Sequence, residues 1–217
     1  METLEIMKQR HSVRQYTNKK IEKEKRDALD ELATLINEKT GLHIQIFYDE
    51  PKCFNSMMAH YGSFKGVNNY IALVGKKFAD LDEKLGYYGE QLVLRAQELG
   101  LNTCWVALNH GKSNATIDKG EKQICVIALG YGEKNGVPHK SKSVSQVSNY
   151  KSGMPEWFLQ GVEAALLAPT AVNQQKFYFE LLENSSVKAT SGKGFYTKLD
   201  LGIAEYHFEA VTGKAVK

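Results

Sequence analysis

The stretch that most constrains this chain is Ile124-Cys125-Val126-Ile127-Ala128-Leu129, a continuous apolar run closed by Gly130 and Gly132. It is shorter than the roughly eight residues of a typical globular helix. No polar residue marks a solvent face, so the run reads as a central strand covered on both sides. Such a strand needs partners. Asn69–Val74 (NYIALV), ending at Gly75, and Thr103–Val106 (TCWV) supply two, and His43–Tyr48 (HIQIFY), closed by Glu50-Pro51, supplies an alternating third. It also needs covering helices. Over 79–99, Leu81, Leu85, Tyr88, Leu92 and Leu99 recur at helical spacing before Gly100, and over 21–38, Ile21, Leu29, Leu32, Leu35 and Ile36 share a face before Gly41. Leu4 and Met7 place a short helix over 2–9, ending before His11-Ser12.

Residues 108–122 and 133–153 are polar and aperiodic and read as loops, the second long enough to be functional. The pattern then begins again. Pro155 opens a helix over 155–167 that Pro169 ends, Phe177–Leu182 (FYFELL) is a strand, 184–196 is a loop, and 198–211 is a last helix closed by Gly213. Helix 21–38 with strand 43–48 is echoed by helix 155–167 with strand 177–182, and LGYYGEQ in 79–99 by LGIAEYH in 198–211. This predicts an α+β fold, an antiparallel or mixed sheet flanked by helices. It is arranged as two pseudo-repeated halves, 1–150 and 151–217, packed as one unit. At 217 residues the chain has room for either one large domain or two small ones.

A net charge of +3 does not call for a nucleic-acid partner. The three cysteines, Cys53, Cys104 and Cys125, form no CxxC pair and read as buried thiols in a reducing compartment. METLEIMKQRHS has no apolar signal core, and no stretch approaches the roughly 18 apolar residues of a membrane span. The expectation is a cytoplasmic protein without a membrane or nucleic-acid partner.

Three segments carry candidate chemistry. Arg10-His11-Ser12-Val13-Arg14 sets two guanidinium forks around a hydroxyl, a set suited to phosphate. From spacing alone, a capped helix junction with solvated arginines is the better account. Lys140-Ser141-Lys142 adds two ammonium groups, which on their own describe a solvated basic loop. Ala168-Pro169-Thr170-Ala171-Val172-Asn173-Gln174-Gln175 joins small residues to amides, a lining for a flat polar heterocycle, though a polar helix–strand turn serves equally. His43, His60, His110, His139 and His207 show no metal-ligand spacing, so no metal site is expected. Gly130-Tyr131-Gly132 lacks the rest of a dinucleotide fingerprint.

Together these segments resemble the flavin-dependent nitroreductase family. RHSVR is similar to the family's R-[RH]-S-x-[RK] phosphate segment, APTAVNQQKF to its A/S-P-S-x-x-N-x-Q-P-W turn, LRAQELGLNTCWV to its helix before G-L-x-x-x-W/P, and HKSKS to its basic pair. The resemblance implies one FMN per chain. Arg10, His11, Ser12, Arg14, Lys140 and Lys142 would bind its phosphate, Trp105, Val106 and Ala107 would bring backbone to the ring, and Pro169, Thr170, Ala171, Asn173 and Gln175 would line it. The turn follows the last core strand instead of RHSVR, an order that resembles the single-chain, two-repeat branch of the family. That order implies a monomer acting as an internal pseudo-dimer, or a weak homodimer. Lys176 and Phe177 replace the family's proline and tryptophan, and the glutamate of many relatives falls near Ala107. The implied activity is electron transfer from NADH or NADPH to a small acceptor such as a nitroaromatic or quinone. The catalysis would lie with the flavin and not with a side chain. A flavin-storage or redox-sensing protein is the alternative.

Overall fold

The computed structural model describes residues 2–217. In chain order its elements are α1 (Thr3–Gln9), α2 (Lys23–Thr40), β1 (Gln45–Phe47), α3 (Met57–Tyr61), β2 (Asn69–Lys76), α4 (Leu81–Glu98), β3 (Asn102–Val106), β4 (Glu121–Gly130), α5 (Val144–Val147), α6 (Glu156–Ala165), the 3-10 turn Ala171–Asn173, β5 (Phe177–Leu181), β6 (Val187–Ser191) and α7 (Thr197–Thr212). The long helices stop where glycine permits. Gly41 takes φ 70 and donates its N–H to the Asn37 carbonyl, and Gly213 takes φ 63 and donates to Glu209.

Two stretches read as loops contain structure. Val144–Val147 forms the short helix α5 behind a capping box from Ser143 and Gln146. Val187–Ser191 is the strand β6, too weakly apolar to announce itself, which is specified by its ladder with β5 and a bridge from Val187 to Val216.

The chain forms two compact units, and they are not consecutive halves. One holds Arg10–Leu81 and Leu92–Val137; the other holds the N-terminal segment through Gln9, Asp82–Gln91 and Pro138–Lys217. α4 gives Asp82–Gln91 to the unit of Pro138–Lys217 and Leu92–Glu98 to the unit of the four-stranded sheet. The sequence boundary at 150 therefore differs from the structural division.

The first unit is built on a sheet of order β1-β2-β4-β3, antiparallel throughout. β4 lies between β2 and β3, and its Cys125–Gly130 stretch is buried, as its unbroken apolar run requires. On one face, Tyr70, Ala72, Val74, Val126 and Ala128 pack with Val13, Tyr16, Phe54 and Phe64. In the other unit, β5 and β6 pair antiparallel, and Phe179 stacks on Phe208 of α7 with ring centroids 5.0 Å apart. Phe158 of α6 meets Phe208 edge-on at 6.0 Å. α7 crosses α4 closely because both carry glycine: a Cβ on Gly202 would lie 1.9 Å from the Glu83 carbonyl oxygen, and one on Gly86 would lie 2.1 Å from that of Leu199. No helix among the described residues is long and apolar enough to cross a membrane.

Candidate functional site

Within the four-stranded unit, the segment after α1 is stitched into the sheet on three sides. Val13 N–H donates to the Thr103 carbonyl at 3.0 Å, with Ser12 bridged in parallel to Thr103 on the free edge of β3. Lys65 N–H donates to the Arg14 carbonyl at 3.0 Å and Tyr16 N–H to the Lys65 carbonyl at 2.9 Å. Glu133 N–H donates to the Gln15 carbonyl at 2.9 Å and Thr17 N–H to the Tyr131 carbonyl at 2.8 Å. Val13 goes into the core, so alternation sets its neighbours Ser12 and Arg14 on the opposite side, and Tyr16 is buried farther along the segment.

Ser12 and Arg14 line a cleft of about 240 Å³ with Gln15, Ser63, Lys134 and Gly136. Its volume suits a phosphate and part of an attached chain more than a whole heterocycle. Gly136 makes the close approach possible, since a Cβ there would stand 2.8 Å from both the His11 Cβ and the Ser12 carbonyl oxygen. Two cationic and two hydroxyl residues thus line one cavity, a set of residue types that fits a phosphate dianion. Arg10 is buried. Burial, then the Arg10 guanidinium, holds the His11 pKa below its ordinary value, so His11 offers a neutral N–H. Cys104, buried beneath Arg14 and Ser12, has its thiol pKa raised by burial and is no nucleophile. Trp105 and Val106 lie on β3, the strand that carries the Ser12 bridge at Thr103, and Ala107 follows it.

Lys134 was not among the sequence candidates. Its only signal is its place between glycines in Gly132-Glu133-Lys134-Asn135-Gly136. Lys140 and Lys142, read as the basic pair for the phosphate, lie in the other unit, bonded to the 170–175 turn. Lys142 donates its backbone N–H to Gln175 Oε1 and its ammonium to the Gln175 carbonyl, both at 2.8 Å. The Lys140 carbonyl accepts from Asn173 Nδ2 and from Gln175 Nε2, each at 2.8 Å. Gln175 Nε2 also donates to Asn173 Oδ1 at 2.7 Å. Two segments read as separate contributors are one construction, and the buried Gln175 amide is its internal brace.

That turn is strained. Val172, Asn173 and Gln175 have φ of 45, 55 and 44, and Tyr196 in the facing loop has φ 56. None is glycine, and a β-branched residue in this region is an outlier. Val172 is nevertheless 80% exposed, so no packing accounts for it. Strain of this kind collects at ligand sites. Thr170 Oγ1 accepts from Gln175 N–H at 3.1 Å, and the Asp200 carboxylate accepts from Ala171 N–H at 2.9 Å and from Gln174 Nε2 at 2.7 Å. Pro169 is buried at the base of the turn.

Sequence spacing also hid one possible ligand set: His43, Asp118 and Glu121 gather within 4.8 Å of one another. His43 Nδ1 lies 2.8 Å from Glu121 Oε2, which also accepts from Asp118 N–H, so the cluster is already internally paired.

A family model described as "Putative TM nitroreductase" matches residues 2–212. Among solved structures, a nitroreductase-type protein from Thermotoga maritima superposes with TM-score 0.72 at 22% identity, covering 97% of this chain and 83% of that one. One from Desulfovibrio desulfuricans, in complex with FMN, gives 0.53 at 18% identity over 70% of this chain and 98% of that one. An FMN-dependent nitroreductase from Clostridium difficile gives 0.50 at 23% identity over 70% and 97%. No curated protein matches the chain.

Proposed function

The chain belongs to the TM nitroreductase family, and on that premise we propose that it binds one FMN and reduces a small organic acceptor, such as a nitroaromatic or quinone, with electrons from NADH or NADPH. The observation that carries this reading is the cleft built by Ser12, Arg14, Ser63 and Lys134 around the space that Gly136 leaves open. It has the charge and size for the ribityl-phosphate end of FMN. A bound flavin supplies the two-electron chemistry, accepting reducing equivalents from the nicotinamide and passing them to the acceptor.

The protein binds and orients. Arg14 and Lys134 neutralise the phosphate, with Ser12, Ser63 and the neutral His11 as hydrogen-bond donors, and Arg10 behind them keeps the field positive. Trp105, Val106 and Ala107 offer backbone N–H groups to the ring. Thr170, Ala171 and Asn173 are the residues the family resemblance assigns to the ring, and Pro169, Gln175, Lys140 and Lys142 shape the turn that carries them. No side chain is required as a general acid or base.

The test is the absorbance spectrum of the purified protein, with flavin released by heat, identified and counted. One FMN per chain, bleached by NADH or NADPH without oxygen, is the expected result. FMN bound but never bleached would replace the enzyme with a storage or sensing role. No flavin after incubation with excess FMN would overturn the reading.

A further inference from the structure

Asp200 is buried in the first turn of α7 and belongs to none of the segments that define the family resemblance. Its two carboxylate oxygens are shared out. Oδ1 takes the Ala171 N–H at 2.9 Å, and Oδ2 takes the Gln174 side-chain amide at 2.7 Å. The same Gln174 Nε2 donates its other proton to the Phe195 carbonyl at 3.0 Å. Asp200 thereby joins the strained 170–175 turn to the 192–196 loop, where Gly194 has φ 156 and Tyr196 is left-handed. A turn with three non-glycine residues at positive φ does not hold itself, and something must over-determine it. Gln175 braces the turn from within, and Asp200 and Gln174 are the side chains that tie it to α7 and to the 192–196 loop.

We propose that Asp200 is the positioning residue of the flavin-facing turn, holding Thr170 to Asn173 in the binding conformation through Ala171 and Gln174. The inference rests on the FMN reading above. Only an ionised carboxylate can accept both donors at once; an amide or a protonated acid turns a donor toward one of them. Burial pushes the Asp200 pKa up to about 6, against the lowering effect of its two hydrogen bonds. No charged neighbour enters that balance. Lys176 of the turn is directed at the Lys193 carbonyl, Lys142 at Gln175, and on α7 itself Glu205 answers to Glu83 of α4 and to Glu209. The clasp therefore closes above about pH 6 and opens below it.

The experiment titrates FMN into flavin-free protein at pH 7.5 and pH 5.2, for the wild type, Asp200→Asn, Gln174→Met and the double variant. The melting temperature of each flavin-free protein is recorded alongside. The FMN phosphate itself titrates near pH 6, so the quantity read is the difference between wild type and variant. At pH 7.5 Asp200→Asn is expected to bind FMN about tenfold more weakly, the loss of a net hydrogen bond or so. At pH 5.2 the gap closes. Gln174→Met gives a similar loss and the double variant adds little to it. The melting temperature of Asp200→Asn does not fall, because the variant also sheds a buried charge. Wild-type affinity in Asp200→Asn at both pH values, or fully additive losses, would overturn the proposal while leaving the FMN reading intact. A wild type that binds no FMN would remove both.

Discussion

Val172 is a valine at φ 45 with most of its side chain in solvent, so it carries the cost of the left-handed region without the return of packing. Glycine tolerates that region freely. Val172→Gly is expected to raise stability by about 1 kcal/mol, strain relief of one to three offset by the greater unfolded-state entropy of glycine. Differential scanning calorimetry of the flavin-free protein reads it, and a destabilised variant would show the strain to be illusory. Arg14→Ala provides the contrast. It removes a charged donor from the cleft, and charge-assisted hydrogen bonds contribute about 1.5–3 kcal/mol. FMN affinity should fall about ten- to hundredfold, and riboflavin affinity should hardly move because riboflavin has no phosphate. Equal losses for both ligands would place Arg14 elsewhere. At this scale residue type alone singles out Arg10, Ser12 and Arg14 in the sequence, and the structure sets Ser12 and Arg14 on the cleft and buries Arg10. The sequence was silent where geometry mattered. Lys134 is one of many lysines until Gly136 brings it beside Ser12, and Gln175 reads as a ring contact until its amide proves to be bonded to Lys140, Lys142 and Asn173.

At the scale of elements, α4 and α7 show how close packing and buried charge come together. Gly86 and Gly202 admit the opposing backbone, and any Cβ at 202 would collide with the Glu83 carbonyl. Gly202→Ala should cost several kcal/mol, beyond the roughly 1–3 of ordinary overpacking, because the obstacle is main chain and cannot rotate away. The same crossing half-buries Glu205 beside Glu83 and Glu209. Burial first, then these like charges, push its pKa up to about 8. An acid whose folded pKa lies above its unfolded value loses stability as pH rises between the two, here from about 4.5 to about 8. By pH 7 the deficit is about 3 kcal/mol. Glu205→Gln should therefore raise the melting temperature at pH 7 and leave it unchanged near pH 4. A gain that is constant with pH would mean the carboxyl is not the source. The long periodic elements, α2, α4 and α7, were readable because one apolar face repeats over several turns. β6 was not, because Val187-Lys188-Ala189-Thr190-Ser191 contains too little apolar surface, and its strand conformation comes from β5 and from Val216.

At the scale of the whole molecule, the sequence boundary near 150 follows the composition of the long polar loop, whereas the compact unit containing Pro138–Lys217 also takes in Asp82–Gln91. A local reading cannot find such a unit, since its parts are joined by packing and not by chain. The consequence is testable. His207 is fully buried, its Nδ1 donating to the Ala164 carbonyl and its Nε2 facing Glu90 Oε1, each 3.0 Å away, and Glu90 is fully buried with it. A fragment of residues 151–217 keeps His207, Ala164, Gly202 and the Phe158–Phe179–Phe208 cluster but loses Glu90, Glu83 and Tyr87. Removing one partner of a buried pair costs about 3–5 kcal/mol, comparable to the whole stability of a domain this small. The lost face of α4 also leaves the glycine surface of α7 in water. The fragment should therefore show no cooperative melt and collapsed amide dispersion in its NMR spectrum. Mixing it with residues 1–150 should restore both, because the second fragment brings Asp82–Gln91 back. A 151–217 fragment that folds alone would mean that the second half is an autonomous repeat, and that the helix shared by the two units is a convenience of connection and not a structural need.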